Sequence, residues 1–268
     1  MNSHSNRLPE CGAVLGVDIG WSPNRRTNAA CRLDWTSTAA QVHISRVSLP
    51  GRRQLLLDIA DRSLVAAAFD GPLRADLAII GRYRLAEQLL TRGFQPLIGK
   101  PGQASAPVGR LLNQHANECA RIVVDATNMG KAAHDHAIHE LAVAEAFPTS
   151  FLGVLIENPS DLSSHRGNRS DTFYVHLDQS GGLLNLLQRL LPGRAIHFDT
   201  IKDHEERAAL VCALTAPCVA AGDYTAVGDE DGWIVLPPRS LIRPWAWTML
   251  SENANGIGLE TMPLAATP

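Results

Sequence analysis

The stretch GAVLGVDIG, residues 12–20, decides the fold. It is a short apolar run closed by glycine, the pattern of a buried strand. Two segments follow closely, NAACRLDW (28–35) and AQVHISRVSL (40–49), the second with Val42, Ile44 and Val47 as its apolar members. A short Thr/Ser turn joins them, so they read as an antiparallel pair. Farther along, helices begin to separate the strands. GRRQLLLDIADRS (51–63) sets Leu55, Leu56, Ile59 and Ala60 at helical spacing, and LVAAAFD (64–70) is a second buried strand stopped by Gly71-Pro72. Residues 76–92 are helix-rich, GKPGQASAPVG (99–109) is a loop punctuated by Gly and Pro, and 110–120 reads as a further helix. ELAVAEAF (140–147) is a third buried strand, stopped by Pro148. Residues 170–191 are helical with a break at Gly181-Gly182. DHEERAALVCALTAPCVAAG (203–222) is the clearest helix, with an acidic start, Leu210 and Leu214 one turn apart and Gly222 near its end. GWIVLPP (232–238) is a late strand, and the tail from 241, with Trp245 and Trp247, takes no assignment. The order predicts an α/β protein with a mixed sheet and helices on its faces.

The 268 residues suit one elaborated domain over 12–240, with a flexible N-terminus (1–11) and a C-terminal extension (241–268). Apolar residues make up 45% and charged ones 19%, which excludes a disordered or fibrous chain. A net charge of −3 excludes a strongly basic coat protein but not an enzyme with a local basic surface. No apolar run approaches the ~18 residues of a membrane span, so no membrane partner is expected. The opening MNSHSNRLPE lacks the apolar core of a signal peptide. Cys11, Cys31, Cys119, Cys212 and Cys218 are odd in number with no CxxC, which reads as free thiols in a reducing, cytoplasmic setting.

Three acids sit where buried strands stop or nearly stop: Asp18 in GVDIG, Asp70 at the end of LVAAAFD, and Glu145 in VAEAF. A buried carboxylate costs several kcal/mol unless it is paired or binds a metal. Each alone can be a strand-end surface residue or a cap. Together they suggest hard divalent cations, Mg²⁺ or Mn²⁺, which take oxygen ligands. Two such ions roughly 3.5–4 Å apart can activate water and stabilise a leaving oxygen in phosphodiester cleavage. A fourth acidic group, Asp203, Glu205 and Glu206, opens the last long helix. Asp203 suits a helix cap, and acids in a first turn suit the helix dipole. Glu206 lies on the line of Leu210 and Glu205 on the line of Ala209, and periodicity does not choose between them.

In this order, VLGVDIGW, AAFDGPL, EAFPTSFL, DHEERAALVCALTA and DGWIVLPP resemble the domain of unknown function 429 family, over roughly residues 12–238. The resemblance implies a nuclease with a ribonuclease H-like fold: a mixed five-stranded sheet with helices on both faces, plus insertions. It implies an essential acid on the first strand, at Asp18, another at the end of the fourth strand, at Asp70, and one or two from the last helix. Related resolvases often carry an Asp just before the Ala-Leu of that helix, where this chain has Ala208. Glu205, one turn earlier, matches an acidic position, and Glu145 matches an acid of the family's Glu-x-apolar-Pro piece. The resemblance thus implies a two-metal phosphodiesterase with Asp18, Asp70, Glu145 and Glu205 as catalytic and metal-binding groups.

HRGNRSD (165–171) brings His165, Arg166 and Arg169 together before a helix, and Lys100 lies in a Gly/Pro loop. Arg166, Arg169 and Lys100 are candidate phosphate-binding groups for a nucleic-acid substrate; solvated loop residues are the plainer account. HDHAIHE (134–140) sets His136 and Glu140 at i, i+4, a zinc-like spacing without a persuasive third ligand, and His136 or His139 can carry a proton near neutrality. Trp21 can stack on a base or pack on the sheet edge. Two other functions compete. An actin-like ATPase or sugar kinase would use GVDIGW as a phosphate-binding hairpin, but the chain is short and Asp70 is followed by Gly-Pro. A non-catalytic regulatory protein on the same fold would account for Ala208. DNA, RNA and small phosphodiesters all remain open as substrates, and a homodimer is allowed.

Overall fold

A computed structural model describes residues 8–130, 141–162, 168–197 and 201–262. The opening stretch forms β1 (Gly12–Asp18), followed by β2 (Asn28–Trp35) and β3 (Ala39–Val47) in an antiparallel meander. Helix α1 (Arg52–Ile59) leads into β4 (Leu64–Asp70), which pairs parallel with β1. The helix-rich reading of 76–92 is corrected. Asp76 and Leu77 both have positive φ, so only a 3-10 turn (Ala75–Leu77) forms before α2 (Leu85–Leu89) and α3 (Phe94–Leu97). Helix α4 (Pro107–Ala126) is longer than expected, beginning on Pro107, whose fixed φ suits a first helical position.

Next come β5 (Val143–Ala146), α5 (Pro148–Gly153) and α6 (Pro159–Leu162). The expected break separates α7 (Arg169–Gln179) from α8 (Gly182–Leu190), with Gly181 at φ 74° between them. The chain ends with β6 (Ala195–His197), α9 (His204–Ala221), β7 (Tyr224–Asp229), β8 (Gly232–Leu236), α10 (Pro244–Ala254) and β9 (Leu259–Met262).

The sheet has nine strands, not five, in the order β6-β3-β2-β1-β4-β5-β8-β7-β9. β1, β4, β5 and β8 run parallel, while β2 and β7 are antiparallel to their neighbours. The C-terminal extension is part of this body: Ala246, Leu250 and Ala254 of α10 are buried, and β9 pairs with β7. Pro9 and Glu10 are also tied down, their carbonyls accepting from Trp35 Nε1 (2.9 Å) and Arg194 Nη2 (2.9 Å). All five cysteines are free thiols, four of them buried. Among the described residues, no helix is long and apolar enough to cross a membrane.

Alternation along the strands sorts the core into two layers. Ala13, Leu15, Val17, Phe69 and Val143 pack with Leu56 of α1 and Ala116, Ala120 and Val123 of α4. Val14, Ala66, Ala68, Ala144 and Ala146 face α9 with its Ala209, Leu210 and Ala213. Helix α9 rides directly on β1: a Cβ at Gly16 would stand 2.0 Å from the Ala213 nitrogen and 2.3 Å from the Ala209 oxygen. Glycine is therefore required at residue 16 by close approach, not by a turn.

Candidate functional site

Asp18 and Asp70 are direct partners across the parallel β1–β4 pair. Both fall in the phase of Val14, Ala66 and Ala68, so both project towards the α9 layer, at the C-terminal ends of their strands. The register that puts Gly16 under Ala209 and Ala213 also sets the third acid. One turn N-terminal to Ala209, α9 reaches Glu205, while β1 has advanced to Asp18. The charge of Glu205 bears on Asp18. Geometry thus separates the two glutamates that periodicity left open.

The pair is electrostatically strained. Burial, then Asp70, then Glu205 push the Asp18 carboxyl well above the usual range, against the Ile19 N–H and the Arg46 charge. Burial and Glu145 push Asp70 up to about 7, with His204 pulling it back. Two carboxylates side by side in a water-poor place resist ionising together. Cys212 lies beneath them, its thiol raised by burial and then by Asp70 and Asp18. Ala208 is one turn above Cys212 on the same helical line, so an acid at that position would face this pair; here a buried methyl does.

Arg46 closes the rim. It ion-pairs with Asp203 and reaches Glu205 Oε2 at 3.2 Å. Asp203 caps α9 by accepting the Glu205 N–H at 3.1 Å. Burial pushes its carboxyl up, but hydrogen bonding to Glu205 and the Arg46 charge leave it below the ordinary value. A second tie joins α7 to α9: His204 Nδ1 lies 3.2 Å from Asp171 Oδ1, and Arg207 Nη1 is 3.2 Å from the same oxygen. Sequence reasoning passed over Arg46 and His204. Arg46 carried a signal, because it falls in phase with Val42 and Ile44, on the inward-facing side of β3.

Glu145 belongs to a different cluster. It pairs in register with Phe69, not Asp70, and so projects to the opposite side of the sheet. Arg84 grips it with both terminal nitrogens, at 2.7 and 2.8 Å, and the Leu73 N–H donates to Oε2 at 2.8 Å. Glu87 takes the remaining Nε at 2.8 Å. Burial leaves Glu145 raised, with Arg84 and the Leu73 N–H pulling it part of the way back; burial opposes the Arg84 charge, but Glu145 and Glu87 more than offset it. The carboxylate is thus satisfied by protein donors.

Arg169 starts α7 and donates to Gln95 O at 2.7 Å. The exposed Lys100 follows Gly99, whose Cβ position is 4.0 Å from Arg169 Cδ and 3.6 Å from Thr149 Cγ2 of α5. Both therefore lie near the end of the sheet where β5 runs into α5. Arg166, His165 and the segment with His136, His139 and Glu140 lie outside the described residues. Among the described residues, no three His, Cys, Asp or Glu side chains are grouped closely enough, as placed, to hold a metal ion. Comparison of the chain with known protein families, with curated proteins and with solved structures gives no match.

Proposed function

We propose that this chain is a metal-dependent phosphodiesterase of the ribonuclease H-like kind, acting on nucleic acid. One observation carries the reading: Asp18 and Asp70 stand in register at strand ends, mutually repelling, with Glu205 facing them from α9. Such a pair favours a nearby cation, and its all-oxygen donors fit Mg²⁺ or Mn²⁺. Asp18 and Asp70 would hold the metal, and Glu205 would join them on leaving Arg46. When bound, a divalent ion there supplies a Lewis acid and a more acidic water. Glu145 is left out of this donor set because Arg84 already saturates it. The meander β3-β2-β1 beside parallel β4 and β5 supports the ribonuclease H-like reading, with the outer strands as additions. Lys100 and Arg169 are the candidate phosphate contacts; Arg169 spends one donor on a backbone carbonyl and keeps its full charge.

The test is cleavage of labelled single-stranded, duplex and branched DNA and RNA with Mn²⁺. Asp18→Asn is expected to lose on the order of 10³-fold or more in rate while keeping its melting profile. Undiminished cleavage by that variant would overturn the assignment. A non-catalytic reading draws on Ala208 and on the Arg46 pairing of Glu205; absence of Mn²⁺ binding by calorimetry in the intact protein would favour it.

A further inference from the structure

Within that nuclease reading, we infer that the β1–β2 connection, residues 19–27, is a platform for an unpaired nucleotide of a single-stranded nucleic acid, with Trp21 stacking on its base and Arg25 meeting its phosphate. Trp21 follows Asp18 by three residues and remains 37% exposed. Other indoles are engaged: Trp35 and Trp245 donate to Pro9 O and Ile156 O, and Trp247 lies under Arg239 at 4.0 Å. Among the described residues, Trp21 has no such partner. Arg25 has no carboxylate partner among them either, and Arg26 spends its guanidinium on the Arg46 carbonyl, so both keep their full charge. Cationic side chains and an exposed indole thus share the loop that leaves β1 at Asp18, on a chain of net charge −3.

The loop is built to hold this arrangement. Buried Arg52 donates to Gly20 O at 3.2 Å and is anchored by Glu118 at 2.5 Å. Gly20 N donates to Asn28 Oδ1 at 3.2 Å, and a Cβ at residue 20 would collide with Thr27 O at 2.1 Å. Ser22 O receives Leu49 N at 3.0 Å, Ser22 Oγ receives Arg25 N at 3.0 Å, and Arg46 Nη2 donates to Arg26 O at 2.7 Å. A loop fixed at so many points loses little entropy on binding. Every base has a π face, so stacking on an indole tolerates any sequence but needs a base free of its duplex neighbours.

The experiment measures anisotropy of fluorescein-labelled 12-nucleotide oligo(dT) and oligo(U), and of a blunt 12-base-pair duplex, in EDTA. The single strands are expected to bind more tightly than the duplex. Trp21→Ala should weaken them about ten-fold or more, with Trp21→Phe restoring most of the affinity. Arg25→Ala should weaken them and reduce the slope of log affinity against log salt by about one. Unchanged affinity in Trp21→Ala, equal binding of the duplex, or no binding of either strand overturns the platform. Metal and cleavage play no part in this measurement. A wild-type protein that binds through Trp21 yet never cleaves would therefore sink the nuclease reading and leave the platform standing.

Discussion

Two acidic clusters occupy opposite faces of one sheet, and the protein treats them in opposite ways. On the α4 side, Glu145 and Glu87 close around Arg84, which is 1% exposed, and each guanidinium nitrogen has an acceptor. On the α9 side, Asp18 and Asp70 face each other with no guanidinium between them, and each is pushed up by a neighbouring carboxylate as well as by burial. The first cluster is complete by itself. The second becomes favourable only if something positive arrives. A carboxylate at a strand end is thus no sign of function; what distinguishes a binding site is the missing partner.

The contrast is broken most readily by removing charge from each cluster. The largest effect is the loss of cleavage expected for Asp18→Asn, with no accompanying loss of stability. Next, Arg84→Met should destabilise the fold by about 3–5 kcal/mol, because it leaves two buried carboxylates uncompensated. Urea denaturation of the two variants side by side checks both statements. A harmless Arg84→Met, or an unfolded Asp18→Asn, would show that the clusters are not of different kinds.

The strands that carry both clusters were legible in the sequence because GAVLGVD and LVAAAFD are apolar runs ending in acids and VAEA is an apolar run with its acid next to last. Their facing was not. Whether Asp70 or Phe69 lies opposite Glu145 is a one-residue matter of register, and a run buried on both faces has no alternation to reveal it. β7 was missed because YTAVGD follows α9 after only Gly222 and Asp223 and has little apolar contrast, and β9 because LETM is short and half-exposed. Glu205 was legible as an acid on a helix, and the resemblance favoured it; periodicity did not separate it from Glu206, whereas the contact of helix and strand at Gly16 does. Arg84 carried no readable signal: its partner Glu145 is 61 residues away.

Titration sharpens the contrast further. An unfolded Asp releases its proton near pH 3.9, whereas folded Asp70 holds it up to about pH 7. Between those values the native state binds more protons than the unfolded one, so stability falls as pH rises and levels off above pH 7. Asp70→Asn removes this dependence. It should be more stable than the wild type at pH 8 by on the order of 2 kcal/mol, with most of the gain gone at pH 4. Melting curves at pH 4, 6 and 8 without metal measure it. Saturating Mn²⁺ should stabilise the wild type at pH 8 and leave Asp70→Asn nearly unchanged. A gain that does not vary with pH would mean that Asp70 is already compensated.

The smallest effect comes from the one arginine that touches the open cluster. The Arg46 side chain is 24% exposed, and its partners Asp203 and Glu205 are partly exposed too, so solvent screens both pairs. Arg46→Gln should therefore cost only about 0.5–1 kcal/mol of stability, far less than Arg84→Met. Its effect on metal binding should run the other way. Arg46 places a positive charge beside Asp18 and occupies an oxygen of Glu205, so its removal lifts repulsion from an arriving cation and frees a donor. Mn²⁺ titrated calorimetrically should bind Arg46→Gln about three- to ten-fold more tightly at low salt, and the gain should shrink as ionic strength rises. Weaker binding by the variant would mean that Arg46 orients Glu205 as a ligand. Arg46 would then belong with Arg84, as a fixed part of the structure and not a cation that a metal displaces.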